Sequence, residues 1–184
     1  MRTGRVIIPH VRRTAVAQSL LSTYDNGERA VESPRASTKE DAVLTTDQEI
    51  RNLLTAARTV AVVGISDDPE RDSYLVAEFL QRQGYRVIPV NPRLATLNIQ
   101  VLGEKAYATL RDVPEPIDIV DIFRRPETVM PVVEDAIAVG AGAVWMQLSI
   151  VNEEAAARAE EAGLKVVMNR CMAVEHRRLI PKQA

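Results

Sequence analysis

The sequence predicts an α/β fold, a doubly wound parallel five-stranded sheet with helices on both faces. Three observations predict it. Five short apolar runs rich in valine and isoleucine recur along the chain, as strands buried on both faces require. Amphipathic segments with helical spacing separate most of them. Glycine or proline punctuates most junctions. Strands alternating with helices in this way need parallel pairing and right-handed crossovers. The expected order is 3-2-1-4-5, which puts a ligand crevice at the carboxyl ends of the first and fourth strands, where the order reverses.

The elements follow in turn. "TDQEIRNLLTAA" opens with an acidic, cap-like start and repeats apolar residues at Ile50, Leu53, Leu54 and Ala57, one face of a helix. "TVAVVGI" is the first strand. "SYLVAEFLQRQG" is an amphipathic helix closed by Gly84. "YRVIPVN" is the second strand, stopped by Pro92, and "IDIVDIF" is the third, after the punctuated "DVPEP". "PETVMPVVEDAIAVGA" is a helix with Pro126 in its first turn and Gly140 beyond its end. "AVWMQL" is the fourth strand, "VNEEAAARAEEAG" a helix, and "KVVMN" a fifth strand before a short last helix.

Residues 1–45 read differently from the body at 46–181. They hold Arg2, Arg5, Arg12 and Arg13 with no acid before Asp25, then a polar stretch without periodicity. A disordered or extended tail is expected there; an arginine-rich, acid-poor start is also the pattern of an organelle transit peptide. In 184 residues there is room for one ordinary domain besides such a tail.

Composition narrows the function. A net charge of −2 gives no general attraction to nucleic acid or an anionic membrane. With Cys171 as its single cysteine the chain makes no internal disulfide and suits a reducing cytoplasm. Its two histidines, His10 and His176, lie far apart without a second cysteine, so no zinc site is expected. Nor does any apolar run approach the ~20 residues of a spanning helix.

In this fold the chemistry sits where strands end. Gly64, Ile65 and Ser66 follow the first strand: the glycine permits a tight turn, and an anion can approach the amides opening the next helix. Asp67 and Asp68 weigh against an anion, although one of them can cap the helix ahead of Pro69, and Arg71 offsets their charge. A plain strand-to-helix turn is the alternative. The second strand ends in Asn91, Pro92 and Arg93, where an NAD-binding fold carries an acid for the ribose. Arginine there suits a ribose phosphate instead, the 2′-phosphate of NADP or the 3′-phosphate of coenzyme A. The alternative is a solvated surface charge. After the third strand, Phe123, Arg124 and Arg125 offer an aromatic face and cations. Past the fourth, Gln147 and Ser149 can hydrogen-bond an amide of a pantetheine arm. Trp145 is expected in the core, and Cys171 as a packed thiol without an identifiable base.

Together "AVVGISDDPERDSY", "GYRVIPVNP", "LGEKAYATLRDVPEPIDIVDIFRRPE", "GAVWMQLSIVNEEAAARAEEAGLKVVM" and "NRCMAVEH" resemble the small single-domain CoA-binding proteins. That family shares its Rossmann-type fold with the amino-terminal domain of the succinyl-CoA synthetase alpha subunit. The resemblance implies that Gly64-Ile65-Ser66 receive the CoA diphosphate, with Arg71, Ser73 and Tyr74 beside them. It puts Asn91-Pro92-Arg93 on the adenosine and 3′-phosphate side. Phe123 and Arg124 would border the nucleotide and the pantetheine entrance. Asp72 stands where proline is expected, Ser149 where glycine is usual, and Asn169 where aspartate precedes "RC". The ligase's second, histidine-bearing domain is not expected here. The reading is therefore a cytoplasmic, non-enzymatic binder of CoA or an acyl-CoA, acting as carrier, sensor or regulator, with a protein partner or homo-oligomer allowed. An NADP-binding oxidoreductase module and a regulatory subunit of an acyl-CoA ligase are the alternatives.

Overall fold

The computed structural model describes residues 43–44 and 46–180. Apart from Val43 and Leu44, the expected tail lies outside them. In chain order the elements are α1 (Asp47–Ala56), β1 (Thr59–Val63), α2 (Asp72–Arg82), β2 (Arg86–Val90) and α3 (Pro92–Thr96). A small hairpin, β3 (Gln100–Val101) and β4 (Glu104–Lys105), follows, then β5 (Ile119–Ile122) and α4 (Val129–Ala138). Last come β6 (Ala143–Met146), α5 (Glu153–Glu161), β7 (Lys165–Val167) and α6 (Met172–Leu179).

The five expected strands form one parallel sheet with helices on both faces, so the fold class holds. Their order does not. The sheet runs β2-β1-β5-β6-β7, which is 2-1-3-4-5 among the five expected strands. Pro89 supplies the reason. Proline donates no ladder hydrogen bond and belongs at a sheet edge. Pro89 pairs with Val62 on one side, while its carbonyl points outward and accepts the Tyr107 N–H at 2.9 Å. Its missing N–H therefore faces away from β1, and β2 cannot be central. β5, buried at all four positions, takes the interior place beside β1. The strand order thus reverses between β1 and β5, not at the fourth strand.

Each central strand feeds two cores because successive side chains alternate faces. Val60 and Val62 pack with Ile50, Leu54, Val76, Leu80 and Met172 of α1, α2 and α6. Ala61 and Val63 pack on the other side with Val133 and Ala136 of α4 and Ala156 and Ala159 of α5. Trp145 is fully buried, as expected, and its Nε1–H donates to the Arg170 carbonyl at 2.7 Å. Thr46 begins α1 with a reciprocal cap: its hydroxyl accepts the Glu49 N–H, and the Glu49 carboxylate accepts the Thr46 N–H. Ahead of α1, Val43 pairs with Val166 and the Leu44 N–H donates to the Val166 carbonyl at 2.8 Å.

Candidate nucleotide cleft

Gly64 leaves β1 with φ +87° and donates its N–H to the Val90 carbonyl at 2.9 Å. A Cβ there would lie 2.3 Å from the Phe123 carbonyl oxygen and 2.9 Å from Cδ of Arg124. The glycine is thus required first by the chain leaving β5, which crosses directly against it. Two of the three amides expected to meet a diphosphate are already engaged. Gly64 bonds Val90, and the Ser66 N–H donates to Ser73 Oγ at 3.1 Å.

Beyond Ser66 the loop is fastened internally. Ser66 Oγ accepts the Asp68 N–H at 3.1 Å, and Asp68 Oδ1 accepts the Glu70 N–H at 3.0 Å. Neither aspartate caps α2, contrary to expectation. Its N-cap is Arg71, which makes no side-chain cap bond. In the first turn of α2 the Tyr74 N–H donates to the Arg71 carbonyl at 2.9 Å, while no side chain caps the amides of Asp72 and Ser73. Asn91 ties the loop to β2: Nδ2 donates to the Ile65 carbonyl at 2.8 Å, while Oδ1 accepts the Arg93 N–H at 2.9 Å. A carboxylate could not donate the first of these bonds, which accounts for the amide here.

Three adjoining hollows follow the carboxyl edge of the sheet. The central cleft, about 610 Å³, is lined by Gly64, Ile65, Ser66, Arg71, Ser73, Asn91, Arg93, Phe123 and Arg124. Arg125 and Ile150 also line it. Arg124 and Arg125 are exposed and make no ion pair among the described residues, leaving two uncommitted cations. A smaller, largely apolar pocket of about 170 Å³ shares Gly64 and Arg124 and reaches Val90, Pro92, Thr109, Leu110 and Val132. On the opposite side a groove of about 590 Å³ shares Asp72, Phe123 and Ile150 and runs between α2 and the start of α6. Leu75, Phe79, Gln147, Leu148, Cys171 and Val174 line it.

Eleven of the twelve expected site residues thus border these hollows. Tyr74 does not; it packs half-buried against the core. Gln147 is held from below. Its Nε2 donates to Asp121 Oδ1 at 2.8 Å, and Asp121 is fully buried with Oδ2 unpartnered. Burial pushes the Asp121 carboxyl up to about 7, against a smaller lowering by the Gln147 bond. Ser149 lines none of these three hollows. It takes φ +67° and donates its N–H to Asn169 Oδ1 at 2.8 Å, and Asn169 itself has φ +58°. Two of the three departures from the family pattern, Ser149 and Asn169, thus fall on left-handed backbone, where glycine and asparagine are the favoured residues. Cys171 is half-buried at the groove's end. His176 is buried, edge-on to Phe79 and Tyr85 at 5.5 and 5.6 Å, and burial lowers its pKa, with Arg177 adding to the effect. Residue types alone gave no hint of Leu75, Leu148 and Val174, because an exposed apolar side chain on a helix or loop is common.

A sequence model of the CoA binding domain matches residues 58–177. The chain belongs to the CoA-binding domain family. Its relatives include the uncharacterized protein YneT of Bacillus subtilis, 41% identical over 128 residues, 70% of this chain and 92% of that one. A hypothetical protein of Pyrococcus horikoshii superposes with TM-score 0.71 at 45% identity, covering 74% of this chain and 94% of the other. An acetyl-coenzyme A synthetase 1 of Ca. Korarchaeum cryptofilum, in complex with phosphate and ADP, matches at TM-score 0.52 and 26% identity. There the likeness covers 60% of this CoA-binding domain chain and 25% of the synthetase. Among the described residues no helix is long and apolar enough to cross a membrane.

Proposed function

We propose that this CoA-binding domain protein holds CoA or an acyl-CoA along the carboxyl edge of its sheet and performs no chemistry of its own. The observation that carries the reading is the sequence of surfaces along one edge: an apolar pocket, a cleft bearing arginines, and a long groove where Glu78, Arg82 and Arg177 join the apolar side chains. CoA has the same order of parts, a flat base, a run of phosphates and a long, weakly polar arm. Val90, Pro92 and Leu110 would enclose the base. Arg93 would meet the 3′-phosphate, and the uncapped start of α2 with Arg124 would meet the diphosphate, since unpaired helix-terminal amides and guanidinium groups favour anions. The arm would pass Phe123 into the groove, where Gln147 can bond an amide.

A binder without catalysis is favoured by the position of His176, which is walled in by rings away from the cleft. The likeness to an acetyl-CoA synthetase favours a second reading, in which the protein serves as regulatory subunit of an acyl-CoA ligase. Calorimetric titration with CoA, dephospho-CoA, NADPH and NADH tests the ligand. CoA should bind one to one and about tenfold to a hundredfold tighter than dephospho-CoA. Tighter binding of NADPH than of CoA would replace the proposal with the dinucleotide reading. Co-purification with a ligase subunit would support the second reading.

A further inference from the structure

Arg93, the residue assigned to the 3′-phosphate, already has a partner within the chain. Its guanidinium is paired with the carboxylate of Asp67, which lies on the opposite bank of the cleft. The two banks are the β1–α2 loop and the start of α3, and they are joined at two places. One joint is the half-buried bond from Asn91 to the Ile65 carbonyl, which holds the loop's base. The other is the Asp67–Arg93 pair, whose side chains are 35% and 57% exposed. The first joint is built to persist. The second, wet and at the mouth, can open.

We propose that Asp67 is a built-in competitor for Arg93, so that a phosphate-bearing ligand enters this cleft by exchanging one anion for another. The Asp67 carboxylate takes up the Arg93 Nη2 that a phosphate would use. A phosphate monoester dianion carries more charge than a carboxylate and displaces it; chloride or another singly charged anion does not. The price of this selectivity is affinity: the ligand's 3′-phosphate must break an existing pair. This inference rests on the reading of the cleft as a phosphate site. It adds a function for Asp67, which on the sequence alone only weakens that reading.

The test is a double-mutant cycle on the full chain, with CoA and dephospho-CoA titrated into wild type, Asp67→Asn, Arg93→Gln and the double variant. Exposed ion pairs of this type are worth about twofold to fivefold. Asp67→Asn should tighten CoA by that factor and leave dephospho-CoA unchanged. In the Arg93→Gln background the same substitution should give no gain. A gain that persists there, or one equal for the two ligands, would mean that Asp67 acts by simple repulsion, and the competitor role would fall. A measurement without CoA stands apart from the CoA assignment: the Arg93 Nη2 protons, which carry the bond to Asp67, should exchange slowly by NMR in wild type and quickly in Asp67→Asn. Fast exchange in both would show no pair to displace. Failure of all four proteins to bind CoA would overturn the proposed function, and the exchange measurement would still decide the pair.

Discussion

At one end of the cleft the wall is the chain itself; at the other it is a set of side chains. Gly64, Phe123 and Val90 approach backbone to backbone, with the Gly64 N–H on Val90 and no room for a Cβ against the Phe123 carbonyl. Past Phe123 the groove is faced by Leu75, Leu148 and Val174, which are 48%, 64% and 52% exposed. They come from α2, the β6–α5 loop and α6. The turn is part of the fold and cannot change without it. The groove is laid over the fold and can change freely. Stability and binding should therefore be coupled at the turn and separable in the groove.

The largest effect should come from Gly64→Ala. Left-handed backbone costs a residue with a Cβ about 1–2 kcal/mol, and the contact at Phe123 adds to it. A total loss above about 4 kcal/mol is expected, seen as a melting temperature lower by 10 °C or more. A variant that folds with an unchanged melt would break the comparison at its stronger end. Such a variant cannot separate phosphate binding from folding, because its first effect is on the native backbone.

Asp121 sharpens the comparison from beneath the groove. Burial pushes its carboxyl up to about 7 in the folded protein, against the ordinary 3.8 of a solvated aspartate in the unfolded chain. Between those values the native state holds a proton that the unfolded chain has lost, so stability from this group is greatest at low pH and falls as pH rises through about 7. Asp121→Asn should flatten that decline, with little change at pH 4 and a gain of up to about 4 kcal/mol at pH 8. Parallel denaturation curves at the two pH values measure it. An equal effect at both would remove the buried titration.

A smaller effect concerns left-handed residues. The turn uses glycine at φ +87°, whereas the loop beside Leu148 uses Ser149 at φ +67°. Ser149→Gly should therefore stabilise the protein by about 1 kcal/mol in chemical denaturation. A loss would show that the serine side chain contributes more than its backbone conformation costs. The smallest stability effect belongs to Leu148→Ser and Val174→Ser, within about 0.5 kcal/mol of wild type, since each is a surface change. Their CoA affinity should nonetheless fall about fivefold each if the arm lies over them. Unchanged affinity would move the arm out of the groove.

The same division governed what could be read from the sequence. The strands were legible because burial on both faces leaves continuous apolar runs such as "VAVV", and helix ends were legible at Gly84 and Gly140, both at positive φ. Strand order was misplaced although Pro89 carried the signal, a residue without an N–H that only an edge strand accommodates. The β3–β4 hairpin went unseen because two-residue strands have no periodicity to detect. At the site, the residues at strand ends were legible because topology sends them to one edge. Gly64 was identified, but its closest neighbour, the Phe123 carbonyl, is far along the chain and became apparent only with β5 beside β1. Leu75, Leu148 and Val174 share no motif, and only folding brings them together.

The most direct test of CoA binding at this edge uses the two uncommitted cations of the cleft. CoA is titrated calorimetrically into wild type and into Arg124→Gln/Arg125→Gln, with melting temperatures recorded for both. Because both side chains are exposed and unpaired among the described residues, the melt should not move. Each charge-assisted bond to a phosphate is worth about 1.5–3 kcal/mol, so loss of even one should weaken CoA roughly tenfold to a hundredfold. A folded double variant that binds CoA as tightly as wild type, or a wild type that binds none, would contradict the account.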